Sequence, residues 1–330
     1  MDFVTDPVDR CLLDDWQRDL PITPRPFAEI GGKLGLSEAE VISRLGQMLG
    51  SGRITRVGGT CAPNIVSAST LAAVAAPPER VEEVAAIIGA EPGVNHSYLR
   101  EHDLNLWFVA TGPDRAHVNM VLTRIGARSG LRVLDLPLVR AFNVDLGFRM
   151  AGGGGKPPAR RPVVGAAIEP GDRPILQALT SGLPLCPRPF AAVARDLHRS
   201  EADILARIRA LSDASVIARL GVIVRHRALR WRANAMVVWD LPNGAIDLAG
   251  PLLAAHPGVT LCYERRPVAG IWPYRLYSMI HARSRSEAMD VLSAATDLPG
   301  LRGVRHRALF SIRCFKQTGA LISLPKESAA

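Results

Sequence analysis

The sequence predicts an α+β protein made of two tandem repeats, each a winged helix-turn-helix followed by a ferredoxin-like βαββαβ domain. Three observations predict it: a passage repeated at constant spacing, a Gly- and Pro-rich stretch between the copies, and one order of helical and strand-like patterns in both. We predict the winged helix-turn-helix units at residues 1–60 and 172–230, the ferredoxin-like domains at 61–150 and 231–320, and a linker at 151–171.

The duplication is clearest in the segment PRPF, which begins at Pro24 and again at Pro187. The spacing of 163 residues continues along the flanking sequence, so that Ser37 corresponds to Ser200. Between the copies lies AGGGGKPPARRPVVGAAIEPGD, whose glycines and prolines are typical of a flexible linker without a core of its own.

The first part of each repeat predicts three helices and a strand. In the first copy the apolar spacing indicates helices over residues 6–19 and 24–34 and a third that begins at Ser37. The sequence Ser-Glu-Ala-Glu supplies an N-cap and a glutamate three residues later, which is a capping box. Residues 53–57 then indicate a short strand, the wing.

The second part of each repeat predicts the order strand, helix, strand, strand, helix, strand. In the first copy these segments are STLAAVAAP, PPERVEEVAAIIGAEPG, NHSYLRE, LNLWFVAT, DRAHVNMVLTRIGARSG and LRVLDLPLVRAF. The second copy has the same order, from RANAMVVWDLP to LRGVRHRALFSI. This is the split βαβ unit of ferredoxin-like domains.

Composition narrows the class of protein. With 48% hydrophobic and 22% charged residues the chain is typical of a globular protein, and no apolar run approaches a membrane span. The five cysteines are scattered and form no CxxC pair, which argues against a disulfide framework or a zinc site. We therefore expect a cytoplasmic protein without membrane contact.

The formal charge of +9 comes mainly from arginine, since only four of the 40 basic residues are lysines. A GC-rich genome accounts for much of such an excess. The alternative is a polyanionic partner, because the planar arginine fork suits carboxylates and phosphates, and charge alone does not separate nucleic acid from an acidic small molecule.

The third helix of each winged unit is a poor candidate for reading DNA. Its first turn carries Glu38 and Glu40 in one copy and Glu201 and Asp203 in the other, and carboxylates there would face phosphates. Acidic residues in a first turn also have a simple structural explanation, because they suit the helix dipole. We predict that DNA is not the partner and keep DNA binding as the alternative.

Histidine and arginine are concentrated where the two copies differ. Alternation in NHSYLRE places His96, Tyr98 and Arg100 on one face of a strand. At the corresponding place the second copy has Tyr263 and Arg265 but no histidine, and a longer loop with further aromatic residues. The second wing, in turn, carries a histidine and several arginines that the first wing lacks. Each feature alone is more often ordinary core or surface, but the asymmetry predicts one composite pocket shared by an internal pseudo-heterodimer.

A winged helix-turn-helix followed by a ferredoxin-like domain resembles the Lrp/AsnC family of transcription regulators. Four strings, GRITRVGG, GVNHSYLREHDLNLWFV, RHRALRWRANAMVVWDLP and WPYRLYSMIH, resemble more closely the siroheme decarboxylases, a branch of that fold, in a fused two-subunit form. The resemblance implies removal of carbon dioxide from the C12 and C18 acetates of siroheme, giving didecarboxysiroheme for haem d1 synthesis. It implies no cofactor beyond this iron tetrapyrrole substrate.

Under this resemblance, His96 and His226 are the acid/base candidates, either of which could instead ligate the substrate iron, and Tyr98 and Tyr263 would orient the acetates. The candidates for substrate binding are Arg56, Arg100, Arg219, Arg225, Arg227, Arg232, Arg265, Trp107 and Tyr274. The chemistry agrees, because eight carboxylates on a flat ring need arginines and apolar surface. A histidine that titrates near neutral pH suits proton delivery to the methylene carbon.

Two other functions remain open at this point: an Lrp/AsnC-type regulator that binds DNA and a small effector, and a tetrapyrrole sensor without chemistry. The sequence also leaves open whether there is one pocket or two, the order of the two decarboxylations, and whether the chain forms a further homo-oligomer.

Overall fold

The computed structural model describes residues 6–143 and 162–324, apart from the side chain of His226. The elements of the first repeat are α1 (Pro7–Asp14), α2 (Pro26–Leu34), α3 (Glu38–Gly50), β1 (Ile54–Cys61), β2 (Ala68–Val74), α4 (Val81–Ala90), β3 (Val94–Arg100), β4 (Leu106–Gly112), α5 (Arg115–Ser129) and β5 (Leu134–Asn143). Those of the second are α6 (Asp172–Ser181), α7 (Pro189–Asp196), α8 (Glu201–Asp213), β6 (Ile217–Val224), β7 (Ala233–Trp239), α9 (Asn243–Ala255), β8 (Val259–Arg265), β9 (Leu276–Ala282), α10 (Arg285–Thr296) and β10 (His306–Gln317). The predicted fold of two such repeats is confirmed. Among the described residues, no helix combines the length and apolar character that crossing a bilayer would require.

Two local signals set helix ends at predicted residues, the N-cap serine of α3 and the glycine after α2. The hydroxyl of Ser37 accepts from the backbone N–H of Glu40 at 3.2 Å, and Ser200 accepts from Asp203 at the same distance. Gly35 ends α2 in the left-handed region, at φ 68°, which glycine adopts without a steric penalty. The first helix is shorter than predicted and ends at Asp14, because the chain then turns toward the second repeat.

The winged helix-turn-helix units of the two repeats are joined through their wings. Strands β1 and β6 pair antiparallel with each other, and Gly58 lies directly opposite its counterpart Gly221. The segment after α1 bonds to the second wing, where the N–H of Val222 donates to the carbonyl of Trp16 at 2.7 Å. Helix α6 packs in the corresponding way on β1. One apolar core, built from both repeats, therefore lies beneath all six helices.

The glycines of this wing sheet are required by the close approach of backbone. A Cβ on Gly58 would lie 2.3 Å from the carbonyl oxygen of Leu179 in α6. A Cβ on Gly221 would lie 2.5 Å from the carbonyl oxygen of Trp16. Both distances are far below van der Waals contact, so only glycine admits the neighbouring segment at each position.

The two ferredoxin-like sheets close into a single barrel. Within each repeat the strand order is that of a split βαβ unit, β3-β4-β2-β5 in the first and β8-β9-β7-β10 in the second. The last strand of each repeat then continues into the other repeat, since β5 pairs with β8 and β10 pairs with β3. Eight strands thus form a closed barrel without a free edge, and the helices lie outside it.

The barrel separates three apolar cores. One lies between each half of the barrel and its own pair of helices, and the third fills part of the interior with side chains from both repeats. The largest side chains of this interior core are aromatic: Trp107, Tyr263, Trp272, Tyr274 and Tyr277. These side chains hold the two repeats together from within.

The predicted linker falls largely outside the described residues, which resume at 162. Of its described part, Val163 and Ile168 pack against the shared helical core, so the segment before α6 is anchored to the fold. All five cysteines are free thiols. The cytoplasmic location stays a prediction from the cysteine pattern.

Candidate functional site

The strand β3 presents a ladder of three polar side chains on one face, as its alternation predicted. The rings of His96 and Tyr98 are stacked, with centroids 6.4 Å apart and planes inclined by 20°. The guanidinium carbon of Arg100 lies 5.4 Å from the centre of the Tyr98 ring. Leu99, which alternates with the ladder residues, packs against the core outside the barrel, whereas Trp107 opposite Tyr98 belongs to the interior core, so the ladder faces the barrel interior.

Burial changes the protonation of this ladder. It lowers the pKa of His96 to about 4, and the charge of Arg56 contributes in the same direction. Burial also raises the pKa of the Tyr98 hydroxyl above its usual value. The imidazole is therefore neutral at pH 7 in the absence of a ligand, and the phenol keeps its proton.

A cysteine of the last strand completes the surroundings of Tyr98. Cys314 on β10 lies opposite Tyr98 in the register of β10 and β3, close enough for the thiol to contribute to the raised pKa of the Tyr98 hydroxyl. Burial raises the pKa of the thiol, while the charges of Arg225 and Arg227 oppose this rise. A residue near the end of the second repeat thus lies against the histidine ladder of the first.

The loop after the second wing reaches the same place. Arg227 donates from its two terminal nitrogens to the carbonyls of Ser311 and Ile312, each at 3.3 Å. Its charge lies close enough to Arg100 to contribute to the lowered pKa of that guanidinium, for which burial is the main cause. His226 lies between Arg225 and Arg227 in a short 3-10 turn, and its side chain lies outside the described residues.

Two further arginines approach from the wing sheet. Arg56 lies opposite Ile223 and its counterpart Arg219 lies opposite Thr60, in symmetric positions of the β1–β6 pair. Burial, with a contribution from the Arg219 charge, lowers the pKa of Arg56 to about 10. The buried Nε of Arg56 has no hydrogen-bond partner in the described part of the chain, which indicates a group suited to an anionic ligand.

The corresponding place in the second repeat lacks most of these groups. Arg265 is the counterpart of Arg100, and both donate from Nη1 to a carbonyl of the other repeat's last strand, Leu136 at 2.8 Å and Leu309 at 3.0 Å. Leu261 stands at the position of the ladder histidine. The first wing loop has Ala62 and Asn64 where the second has arginines. The structure therefore forms this cluster once.

Two of the remaining predicted residues border the ladder, since Trp107 lies opposite Tyr98 in the register of β3 and β4 and Tyr263 is close enough to Arg100 to affect its pKa. Trp107 and Tyr274 are 1% and 4% exposed and pack on Trp272 in the interior core, with ring centroids 5.2 and 4.9 Å from it. Tyr263 stacks on Tyr277 at 5.9 Å within the same core. Arg232 is exposed at the start of β7.

A cavity of about 680 Å³ opens beside β5 and the loop after β8, with Asn64, Arg115 and Arg266 among its lining residues. None of the ladder residues of β3 lines it. Within residues 6–143 and 162–324, no three His, Cys, Asp or Glu side chains gather as they would around a metal ion.

Sequence reasoning missed three residues near the ladder: Asn234, His281 and Cys314. The signal was present in part, because Asn234 and His281 are polar residues within largely apolar strands, ANAMVVW and LYSMIHA. Their proximity to Arg100 depends on strand pairing between distant segments, which no local pattern encodes.

Comparisons with known proteins identify a helix-turn-helix part and an AsnC-like part in each repeat. A family model described as AsnC-like ligand binding domain matches residues 66–143 and 228–316, and one described as Siroheme decarboxylase NirDL-like HTH domain matches residues 9–54 and 172–217. The siroheme decarboxylase NirDL subunit of Paracoccus denitrificans (strain Pd 1222) is 57% identical over 318 residues, which are 96% of this chain and 98% of the relative. The siroheme decarboxylase NirD subunit of Stutzerimonas stutzeri is 48% identical over 143 residues, which are 43% of this chain and 94% of that subunit.

Two solved structures resemble the whole chain. A crystal structure of the siroheme decarboxylase NirDL has a TM-score of 0.66 and 25% identity, covering 95% of this chain and 93% of that one. The same enzyme in complex with an iron-uroporphyrin III analogue has a TM-score of 0.65 and 25% identity, covering 93% of this chain and 92% of that one.

Proposed function

This chain belongs to the siroheme decarboxylase NirDL family, and we propose that it is a carboxy-lyase that removes carbon dioxide from the C12 and C18 acetates of siroheme. The product would be 12,18-didecarboxysiroheme, an intermediate for haem d1. The observation that carries the proposal is the meeting of His96 and Tyr98 from one repeat with arginines from both repeats at a single place.

The arginines supply what a polyanionic ring needs from its site. Arg56, Arg219, Arg225 and Arg227 approach the ladder from the wing sheet and from the loop after it. The Nε of Arg56 is buried and has no hydrogen-bond partner in the described part of the chain, which is costly, and a ligand with several carboxylates would relieve that cost. This cluster of cations is thus complementary to the charge of siroheme rather than to that of a neutral ring.

The reaction breaks the bond between the acetate carboxylate and its methylene carbon. Carbon dioxide leaves, the bonding electron pair stays on the methylene carbon and is delocalised into the macrocycle, and a proton converts the methylene to a methyl group. We assign that proton to the imidazolium of His96, which solvent then reprotonates. The iron belongs to the substrate, and the chain supplies binding, orientation and the proton.

His96 is neutral without a ligand, since its pKa is lowered to about 4. Substrate carboxylates placed beside it would offset the repulsion by Arg56 and favour the charged imidazole. Binding and protonation are then coupled, so that the acid forms only when its substrate is present. Tyr98, which keeps its proton, would donate a hydrogen bond to an acetate or its developing charge.

DNA binding has less support. Arg44 on α3 is bound to Asp9 at 2.8 Å and to Glu40 at 3.2 Å, and Arg207 on α8 is bound to Asp172 at 2.7 Å. The two wings pair with each other and are not separate ribbons that could enter a groove. A regulator would contact DNA through these helices and wings, and here their arginines and strand edges already have partners within the protein.

Incubation of the purified chain with siroheme under anaerobic conditions tests the proposal by the mass of the product. We expect the loss of two carbon dioxide molecules and a change in the visible spectrum. A spectral change without loss of mass would instead indicate a sensor, and a salt-dependent shift of promoter DNA in a gel, with siroheme unchanged, would indicate a regulator.

A further inference from the structure

A second polar cluster lies in the barrel behind the ladder, and its members are linked by short hydrogen bonds. Asn234 on β7 and His281 on β9 are opposite each other in register and are 9% and 7% exposed. The amide nitrogen of Asn234 lies 2.8 Å from Nε2 of His281, and Nδ1 of His281 lies 2.7 Å from the hydroxyl of Thr260. That hydroxyl lies 3.1 Å from the carbonyl of Met279, and Oδ1 of Asn234 lies 3.4 Å from Nη1 of Arg100.

The chemistry of these groups fixes which one donates and which one accepts in each hydrogen bond. Arginine can only donate, so Oδ1 of Asn234 accepts from Arg100 and its amide N–H donates to Nε2 of His281. Nε2 must then lack a proton, so Nδ1 carries it and donates to Thr260, whose hydroxyl donates to Met279. Burial, with a contribution from the Arg100 charge, lowers the pKa of His281 to about 4, which keeps the ring in the neutral form that this arrangement requires.

The hydrogen bonds of this cluster engage only the Nη1 end of the Arg100 guanidinium. Nη1 donates to Asn234 and, at 3.0 Å, to the carbonyl of Leu309. Among the described residues, no hydrogen bond is formed by Nε or Nη2. The Nε–Nη2 edge is the one that binds a carboxylate through two parallel hydrogen bonds, and here it belongs to the residue that lies against Tyr98.

We propose that Asn234, His281 and Thr260 are positioning residues that hold Arg100 in the orientation in which its Nε–Nη2 edge binds a carboxylate of the tetrapyrrole beside Tyr98. This assignment rests on the proposed function and adds to it the residues that orient one clamp. The Asn234–His281 pair has no equivalent in the first repeat, where Ser69 and Thr111 lie opposite each other at the corresponding position of β2 and β4.

Siroheme affinity, measured by absorbance titration of the full-length chain, tests the chain of bonds. We expect His281→Leu and Thr260→Val to bind siroheme about tenfold more weakly, and Thr260→Ser, which keeps the hydroxyl, to bind within about twofold of the unmodified chain. Ser278→Ala is the matched control, because it removes a buried hydrogen bond from Trp239 on the opposite face of β9.

A double-mutant cycle separates positioning from general damage. In an Arg100→Met background, His281→Leu should have little further effect on siroheme affinity, since the residue through which it acts is gone. Equal losses in both backgrounds, or a Ser278→Ala variant as weak as His281→Leu, would show a merely structural role and overturn the proposal.

A measurement without siroheme keeps the test independent of the activity. In the full chain labelled with 15N-histidine, with His281→Gln identifying the signal, the His281 ring should carry its proton on Nδ1 at pH 7. A proton on Nε2, or a charged ring, would contradict the chain of bonds. If the ring has the expected form but the unmodified chain leaves siroheme intact, the proposed function fails while the bonded chain stands.

Discussion

At the scale of single residues, the candidate site is defined by ionisable side chains that the fold buries. Burial lowers the pKa of both His96 and Arg56. The charge of Arg56 adds to this effect at His96, and the charge of Arg219 adds to it at Arg56. Such an arrangement is unfavourable for the empty protein and favourable for a complex with carboxylates. Replacing one residue at a time should therefore separate residues that bind from the residue that delivers the proton.

His96→Asn should lower the rate of decarboxylation by about a hundredfold or more, because it removes the proton donor. Siroheme should still bind, since the arginines are untouched. Product mass over time and absorbance titration are the two measurements, and His256→Asn, at the C-cap of α9, is the matched control. If the variant converts siroheme at the unmodified rate, the acid is another residue. If its bound siroheme has an altered spectrum, an iron-ligand role gains support.

The two buried histidines predict a stability that depends on pH. The pKa values of His96 and His281 are lowered to about 4, so between about pH 6.5 and pH 4 the unfolded chain binds protons that the folded chain does not. Stability should thus be complete above pH 6.5 and fall as the pH decreases, by up to about 1.4 kcal/mol per pH unit for each histidine.

Urea denaturation at pH 7 and pH 5 measures this loss. The difference between the two pH values should become smaller in His281→Gln, whatever that variant's stability at pH 7. Ser278→Ala, which changes no ionisable group, should keep the full difference. Equal pH dependence in His281→Gln and the unmodified chain would contradict the assignment of a buried neutral ring.

At the scale of elements, the wing sheet determines how the two helical units fit. Strands β1 and β6 pair across an approximate twofold axis, with Gly58 opposite Gly221. A segment of the opposite repeat crosses each strand at backbone contact distance, α6 at Gly58 and the segment after α1 at Gly221. The same sheet carries Arg56 and Arg219, so its geometry also places the wing arginines of the site.

Gly58→Ala should destabilise the chain by about 1–3 kcal/mol, because its Cβ would lie 2.3 Å from a backbone oxygen that cannot move aside easily. Gly46→Ala is the matched control. That glycine lies in the interior of α3 with open space around it, so alanine should stabilise the chain by up to about 1 kcal/mol. Thermal denaturation of both variants gives the comparison, and a Gly58→Ala variant as stable as the unmodified chain would show that the contact is not tight.

At the scale of the whole molecule, the two repeats form one structure with continuous strand pairing. The wing sheet, the two junctions of the barrel, the helical core and the aromatic interior all contain residues of both repeats. Such contacts resemble an obligate interface more than a domain boundary. The covalent connection between the repeats therefore contributes little to holding them in place.

Cleavage at a protease site inserted within residues 151–161 should leave the two repeats associated. Backbone pairing and apolar burial are only weakly screened by salt, so the cut chain should elute from a sizing column with the uncut chain even in 1 M NaCl. Siroheme binding should also persist. Elution as separate half-length species would show that the junctions of the barrel are weaker than their pairing indicates.

The sequence by itself determined the features that depend on neighbours along the chain. The N-cap at Ser37, the order of helices and strands along each repeat and the common face of His96, Tyr98 and Arg100 follow from periodicities of a few residues, and the structure has all of them. Of the predicted capping box only the serine half forms, since the Glu40 carboxylate accepts from Arg44. The difference between His96 and Leu261 could also be found from the sequence, because aligning the two copies is enough to show it.

Only the tertiary structure decided which strand pairs with which repeat, and hence what surrounds the ladder. Each repeat has compatible edges of its own, and no local pattern states that β10 continues from β7 onto β3. That continuation places Cys314 beside Tyr98 and brings Arg100 within reach of Asn234. Trp107, which the sequence suggested as a substrate contact, lies in the interior core opposite Tyr98. Pairing between segments far apart in the chain is set by the total burial and hydrogen bonding of the assembled barrel, which no single stretch of sequence contains.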